Sequence, residues 1–275
     1  MPKVRIDETF EMDYEIDDFT DPWTQPDTVI LQHGAMHPRI FWYAWIPTLA
    51  RHFRVIRPHF RGYFDSAFKA PPGYRWTMDG FVSDMKNFLD GLGLDRVHFV
   101  GESSGGIIGY SFAYHHPERL KTLTVCTIGP TLIDINRILG RYIPDIMKSN
   151  GVSAFAEHLI SDLWQEGTIT DPAQREWMYN LERTCPREAT IGISEADQID
   201  MNVENFLAKI NVPTLLLIGE KHNRIITVQE LERIRDLMPR AKLVVIRRTA
   251  GMVQWKMPER SAREVVRFIK EQSST

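Results

Sequence analysis

The chain has 275 residues, of which 43% are hydrophobic and 25% charged, and its formal net charge at pH 7 is −3. These values are typical of a globular protein with a core of ordinary size, and no repeat or low-complexity segment interrupts it. So small a net charge gives no overall attraction to nucleic acid or to an anionic membrane, and neither is expected as a partner.

Targeting and redox signals are also missing from the sequence. No apolar run approaches the ~20 residues that a membrane-spanning helix needs. The polar start, Met1 to Glu8, lacks the apolar segment of a secretory signal. Two cysteines, Cys126 and Cys185, are too few for a disulfide framework, and we expect both to be reduced. The sequence therefore predicts a cytoplasmic protein.

Strands and helices alternate over the first 130 residues. Residues 1–20 hold two short segments with partly alternating apolar residues, which predict an antiparallel hairpin at a sheet edge. Nearly continuous apolar runs predict buried strands at 28–32, 53–58, 96–100 and 123–128. Apolar residues at helical spacing predict helices over 42–52, over 77–92 with Thr77 as N-cap, and directly after residue 106.

The alternation stops between residues 131 and 207, where the sequence is mostly helical and of mixed polarity. It resumes with a strand at 212–219, a helix at 227–238, a strand at 241–246 and a closing helix at 259–270. This order predicts an α/β fold with a mostly parallel sheet that is covered by helices on both faces.

Ligands of such sheets bind at the carboxyl edge of the strands, and an insertion at 131–207 would lie over that edge. We therefore predict a core domain of residues 1–130 and 208–275 with a helical cap of residues 131–207. The apolar residues of the cap would wall a pocket for a moderately apolar small molecule. The alternative is a helical subdomain that serves only stability.

The segment Gly101-Glu102-Ser103-Ser104-Gly105-Gly106 lies between a predicted strand and a predicted helix. Gly-x-Ser-x-Gly in this context is the pattern of a nucleophile elbow, a sharp turn that holds its serine in a strained backbone conformation. The glycines allow strand and helix to approach closely, and the helix N-terminus favours negative charge. The pattern predicts that Ser103 displays a nucleophilic hydroxyl. The side chain of Glu102 is expected to point away from the oxyanion and to be structural.

Further motifs accompany this turn along nearly the whole chain. They are His33-Gly34, Arg61-Gly62-Tyr63 with Ser66, Pro117-Glu118-Arg119, the segment from Pro213 to Lys221, and Pro258-Glu259. Together with the elbow they resemble the α/β-hydrolase family. The resemblance implies an eight-stranded sheet, a serine nucleophile and acyl transfer, most often ester hydrolysis, and we expect no cofactor.

The resemblance also implies an oxyanion hole, in which two backbone N–H groups bind the negatively charged oxygen of the tetrahedral intermediate. One donor is the amide of the residue after the nucleophile, here Ser104. The other comes from the loop after the third strand, here Ala35 or Met36.

The sequence departs from the family pattern where the pattern has its base and its orienting acid. The position of the Asp falls on His222, and the position of the His falls on Gly251 or Met252. The fourth strand, which usually ends in Asp, ends here in His59. A serine hydroxyl is a weak nucleophile that needs a base within hydrogen-bond reach, and loss of the His removes most of the covalent route.

Three explanations remain open from the sequence. A relocated base serves Ser103, with His222 as first candidate and His37 or His59 as others. Alternatively, the site has lost hydrolysis and binds an apolar ester or carbonyl compound, or catalyses another reaction. The third explanation is a deliberately altered, engineered variant of an ordinary hydrolase.

The three histidines also resemble a zinc site, but their spacing is not diagnostic and we expect them to be polar residues at the rim of a pocket. The leading hypothesis is a serine hydrolase of carboxylic esters or lactones with an altered base. Ser103 and His222 are its catalytic candidates, and Ala35, Met36 and Ser104 its oxyanion donors. Its pocket positions are His37, His59, Gly251 and Met252.

Overall fold

A computed structural model describes residues 1–131, 143–165, 167–196, 203–221, 226–249 and 251–273 of the chain. Its strands are β1 Lys3–Arg5, β2 Glu11–Asp17, β3 Thr28–Gln32, β4 Arg54–Pro58, β5 Val97–Glu102, β6 Leu120–Cys126, β7 Thr214–Gly219 and β8 Ala241–Ile246. They form one sheet in the order β1-β2-β4-β3-β5-β6-β7-β8. The pairs β1·β2 and β2·β4 are antiparallel, and every other pair is parallel. The predicted eight-stranded, mostly parallel sheet and its edge hairpin are confirmed.

The helices of the described residues are α1 Ile46–Leu49, α2 Met78–Gly91, α3 Ser104–His115, α4 Ile143–Asn150, α5 Val152–Gln165, α6 Pro172–Glu182, α7 Arg187–Ala196, α8 Val203–Ala208, α9 Val228–Leu237, α10 Val253–Lys256 and α11 Pro258–Ser273. The helix expected over 42–52 is wrong in extent: a 3₁₀ turn occupies Arg39–Trp42, and α1 begins just before Pro47. Proline lacks the N–H that a helix interior requires, so a helix can begin at Pro47 but cannot run through it.

Helices cover both faces of the sheet because successive strand residues point to opposite faces. In β3, Ile30 belongs to an apolar cluster with side chains of α2, α3 and α9. Its neighbours Val29 and Leu31 belong to a second cluster with side chains of α1, α10 and α11. All three residues are fully buried, which explains why the strand is nearly continuously apolar in sequence.

Of the described helices between β6 and β7, α4 to α7 are called the helical insertion below. They pack on one another through the pairs α4·α5, α4·α7 and α5·α6. The following helix, α8, instead packs on α3 and α9, and its Phe206 and Leu207 lie in the core cluster. The helical character expected for this part of the chain is confirmed where it is described, whereas the domain limits at 131 and 207 stay a prediction.

Among the residues described, no helix combines the length and apolar character needed to cross a lipid bilayer. Cys126 and Cys185 are both free and buried.

Candidate active site

Ser103 lies in the turn between β5 and α3 with φ 52° and ψ −129°. Residues other than glycine rarely adopt such a positive φ, and they keep it only where the surrounding structure enforces it. The enforcing contacts are close: a side chain on Gly101 would overlap the backbone of Gly105, and one on Gly105 would lie 2.5 Å from the carbonyl oxygen of Gln32. The predicted strained turn is therefore confirmed.

The loop after β3 lies directly against this serine. A Cβ atom on Gly34 would be 2.7 Å from Ser103 Cβ and 3.2 Å from Ser103 Oγ, so only glycine fits there. The residues that follow form a tight turn in which the His37 amide donates to the Gly34 carbonyl at 3.2 Å. Ala35 and Met36 are both buried in this turn. The structure thus places the turn with Ala35 and Met36, the two candidates for the second oxyanion donor, next to Ser103. The first expected donor, Ser104, is the first residue of α3.

Two contacts hold this turn in place from outside. The Tyr63 hydroxyl donates to the Ala35 carbonyl at 2.5 Å. The Cys185 thiol, which follows α6 in the helical insertion, donates to the Met36 carbonyl at 3.6 Å. The position of the turn relative to the elbow therefore depends on both the core and the insertion.

Next to the turn, three buried titratable side chains form what we call the Glu102–His37–Glu182 cluster. His37 Nδ1 lies 3.1 and 3.0 Å from the two carboxylate oxygens of Glu102. His37 Nε2 lies 3.5 Å from Oε1 of Glu182, the last residue of α6. The exposed fractions of the three side chains, in cluster order, are 3%, 8% and 0%. Among the described residues, His37 Nε2 and both Glu182 oxygens have no hydrogen-bond partner, so the 3.5 Å contact between them is not a hydrogen bond.

This cluster retains protons at neutral pH. Burial lowers the pKa of His37, but the carboxylates of Glu102 and Glu182 outweigh burial and raise that pKa above its ordinary value. Burial raises the pKa of Glu182 to about 8, with His37 opposing the rise and Glu102 adding to it. Glu182 is therefore protonated near pH 7, and His37 holds its proton more tightly than a free imidazole does.

The sequence predicted that the side chain of Glu102 points away from the oxyanion. In the structure its carboxylate instead faces the loop after β3. Its Oε2 atom lies 2.8 Å from where a Cβ on Gly34 would be, and its carboxylate meets the His37 ring. The missing side chain at Gly34 leaves the space that the carboxylate occupies. The expectation was wrong because it considered the elbow alone and not the loop packed against it.

His59, a candidate pocket residue, has a structural environment. Its Nδ1 atom contacts Asp13 Oδ1 at 3.1 Å and Arg39 Nη1 at 3.0 Å. Asp13 is fully buried on β2 and also accepts hydrogen bonds from Arg39 and Ser66. Burial lowers the pKa of His59. Asp13, on the strand that pairs with β4, thus holds His59 in a buried polar network.

His33 is also committed to the scaffold. Its Nδ1 atom donates to the Gly34 carbonyl at 2.7 Å, and its Nε2 atom accepts from the Phe60 amide at 3.2 Å. Burial holds the pKa of His33 well below its ordinary value, so the ring is neutral. Both ring nitrogens are occupied, and His33 is not a candidate base.

The two positions where the family pattern has its His differ in the room they offer. Gly251 has φ 67°, and a Cβ there would overlap the Thr168 side chain of the helical insertion. Met252 has φ −79° and ψ 107°, which any residue adopts, and its buried side chain packs with Phe41 and Trp255. Met252 is therefore the position that can accept another side chain, and it carries no titratable group.

The remaining sequence candidate, His222, lies outside the described residues. Within the ranges described, no group of three or more His, Cys, Asp or Glu side chains is arranged to hold a metal ion. His37 and His59 face different partners, the former Glu102 and Glu182, the latter Asp13 and Arg39.

Sequence reasoning missed Glu182. A glutamate at the end of a helix of mixed polarity is normally exposed, and no local signal marks this one as buried. Its contact with His37 joins the helical insertion to the loop after β3, and a single sequence holds no information on such a distant pairing.

Comparison with known proteins places this site in context. Residues 27–258 match the family model described as alpha/beta hydrolase fold. The chain is similar to carboxylesterase YbfK of Bacillus subtilis strain 168, with 23% identity over 88% of this chain and 80% of that protein. It is also similar to the 2-hydroxy-6-oxo-2,4-heptadienoate hydrolase of Pseudomonas putida strain F1, with 28% identity over 82% of this chain and 83% of that one. Among solved structures, the enol-lactonase from Burkholderia xenovorans LB400 superposes with a TM-score of 0.79 at 19% identity, covering 98% of this chain and all of that one, and this likeness concerns the fold alone.

Proposed function

Because the chain belongs to the alpha/beta hydrolase fold family, we propose that it is a carboxylic ester hydrolase that acts on esters or lactones through Ser103. The observation that carries the proposal is the strained serine at the start of α3, packed against the turn of Gly34, Ala35 and Met36. The relatives named carboxylesterase and hydrolase support the reaction class.

In this reaction Ser103 Oγ attacks the acyl carbon and forms an acyl-enzyme, which water then hydrolyses. The amide of Ser104 and that of Ala35 or Met36 stabilise the oxyanion. Removal of one such donor typically lowers kcat by ~10²–10³, or about 3–4 kcal/mol. The N-terminus of α3 adds a favourable field for the developing negative charge.

Apolar and aromatic side chains beside the cluster support a substrate with an apolar part. The ring of Trp255 lies 4.9 Å from the His37 ring, and the ring of Phe41 lies 5.4 Å from it. Met252 packs with both in one buried apolar cluster. A small ester or lactone with a modest apolar group matches such walls better than a highly charged one.

The test is turnover of p-nitrophenyl esters of increasing acyl length and of a simple aliphatic lactone. We expect measurable hydrolysis by the unmodified protein and reduction to the buffer rate in Ser103→Ala, because that variant lacks the nucleophile. Ser83→Ala serves as the matched control, since Ser83 is exposed on α2. Hydrolysis that survives in folded Ser103→Ala would contradict the proposal.

A non-hydrolytic binding site for an apolar carbonyl compound is the second candidate. It is favoured by Met252, which carries no base at the position where the family pattern has one. This candidate predicts that the ester is bound without release of product and that Ser103→Ala binds it equally well. Calorimetric titration with a non-hydrolysable ketone analogue, beside the product assay, separates the two candidates.

A further inference from the structure

We propose that Glu102 is the base that takes the proton of Ser103, and that His37 and Glu182 position its carboxylate. The inference rests on the proposed function and identifies the group that replaces the family's base. It assigns to the Glu102–His37–Glu182 cluster a role in catalysis beyond packing.

One side-chain oxygen of Ser103 and one of Glu102 lie near each other beside Gly34. Ser103 Oγ and Glu102 Oε2 lie 3.2 and 2.8 Å from one and the same point, the position that a Cβ on Gly34 would occupy. Both oxygens therefore face the same gap beside Gly34. Because 2.8 and 3.2 Å add to 6.0 Å, the two oxygens are at most 6.0 Å apart. In the proposed step a side-chain movement brings them into hydrogen-bond contact, since catalytic hydrogen bonds are commonly longer before substrate binds.

The neighbouring histidines His37, His33 and His59 contact groups other than Ser103. Both ring nitrogens of His37 face carboxylates, Nδ1 that of Glu102 and Nε2 that of Glu182. His33 uses both of its nitrogens within the scaffold, and His59 contacts Asp13 and Arg39. Of the titratable side chains described around the elbow, Glu102 is the one with an oxygen beside the gap that Ser103 Oγ faces.

The cluster holds the Glu102 carboxylate in one orientation. His37 Nδ1 reaches both oxygens of Glu102, which fixes the plane of the carboxylate. Glu182 closes the other side of the ring from the helical insertion, and it is protonated at neutral pH because burial raises its pKa to about 8. With Glu182 uncharged, His37 is paired with Glu102 rather than shared between two carboxylates.

Other titratable groups around the cluster stay neutral. Burial raises the pKa of Cys126, at the end of β6, and the charge of Glu102 adds to the rise. Burial likewise raises the pKa of the Cys185 thiol, and the charge of Glu182 adds to the rise. Tyr110 behind Cys126 is held protonated by burial as well. These three groups therefore carry no charge near neutral pH.

In the proposed step the Ser103 O–H bond breaks while its oxygen bonds to the acyl carbon. The proton moves to Glu102 Oε2, and the carbonyl π electrons move to the oxygen that becomes the oxyanion. On collapse of the intermediate, the leaving-group oxygen takes the proton from Glu102 as its bond to carbon breaks. Water then repeats these transfers on the acyl-enzyme, and Ser103 leaves with the proton that Glu102 took from water.

The test compares Glu102→Gln, which keeps the size of the side chain but accepts no proton, with the unmodified protein. We expect kcat for a p-nitrophenyl ester to fall ~10²–10⁴-fold, the usual contribution of a general base, and Glu102→Asp to recover part of the loss. Glu157→Gln on the exposed face of α5 is the matched control and should change nothing. Circular dichroism verifies that each variant is folded.

A second measurement concerns Glu182 and does not depend on folding of the Glu102 variants. In the unmodified protein kcat/KM should fall as the pH rises through about 8, because ionised Glu182 then competes with Glu102 for the His37 ring. This fall should disappear in Glu182→Gln. A merely structural role of Glu182 would leave the shape of the pH profile unchanged.

The outcomes separate this inference from the proposed function. Undiminished turnover in Glu102→Gln, or a pH profile that Glu182→Gln does not alter, overturns the inference while loss of turnover in Ser103→Ala still supports the serine mechanism. Turnover that survives in Ser103→Ala overturns the serine mechanism and the base assigned to it.

Discussion

The pair Gly251-Met252 shows how one residue decides what this site can do. Gly251 adopts φ 67° and packs against Thr168, so it provides the turn and the close approach but has no room for a side chain. Met252 has ordinary backbone angles and a buried side chain among apolar neighbours. A histidine is thus compatible with the backbone at Met252 and incompatible with it at Gly251.

We predict that Met252→His combined with His222→Asp raises esterase activity by at least ~10²-fold, since it restores the residue types that the family uses as base and orienting acid. Gly251→His with the same partner change should give no gain and should lower the free energy of unfolding by about 1–3 kcal/mol, because a side chain there is strained. Ester turnover and urea unfolding check both. Equal activity gains at the two positions would contradict this assignment.

At the scale of the element, the helical insertion is seated on the core through very small residues. A side chain on Gly192 in α7 would overlap the indole of Trp76. A Cβ on Gly62, in the loop after β4, would lie 2.8 Å from Ala189 Cβ of the same helix. Helix α7 therefore packs very closely against the loops at the carboxyl edge of the sheet. Because α4 packs on α7, this contact also helps to position the rest of the helical insertion.

We predict that Gly192→Ala destabilises the protein by about 1–3 kcal/mol, the usual cost of overpacking. In the double variant Gly192→Ala/Trp76→Phe, the smaller Phe ring should relieve part of the clash and recover part of the lost stability. Thermal unfolding of the two single variants and the double variant measures the coupling energy. Strictly additive effects would show that the two residues do not meet.

The elements also show what a single sequence can and cannot predict. Buried strands such as Thr28–Gln32 follow from apolar runs. The helix that begins after Thr77 follows from a local cap, and the hydrogen bond that Thr77 accepts from the Gly80 amide is present. The elbow follows from local steric requirements of its glycines. The contact between Glu182 and His37 depends on how α6 packs against the loop after β3. No local sequence pattern encodes that packing, because the two segments are far apart in the chain.

At the scale of the whole molecule, buried titratable groups make stability depend on pH. The pKa of Glu182 is raised to about 8 from an ordinary 4.5, and that of His37 is raised as well. A raised pKa means that the folded state binds the proton more tightly than the unfolded state. This contribution is full below about pH 4.5 and is lost as the pH rises through about 8.

We predict that the contribution of Glu182 to the free energy of unfolding, measured as the difference between the unmodified protein and Glu182→Gln, falls by an amount on the order of a few kcal/mol between pH 5 and pH 9, since each unit of pKa shift corresponds to about 1.4 kcal/mol. Glu182→Gln should flatten this dependence, and the exposed control Glu157→Gln should not. Urea unfolding at several pH values is the measurement. An unchanged slope in folded Glu182→Gln would show that Glu182 is not buried as described.

The central claim is that Ser103 is a reactive nucleophile. It is tested most directly by treating the folded protein with a fluorophosphonate and locating the adduct by peptide mass spectrometry. We expect a single phosphonylated site at Ser103, formed more slowly in Glu102→Gln. A protein that stays unmodified, or one modified at another serine while Ser103 remains free, would contradict it.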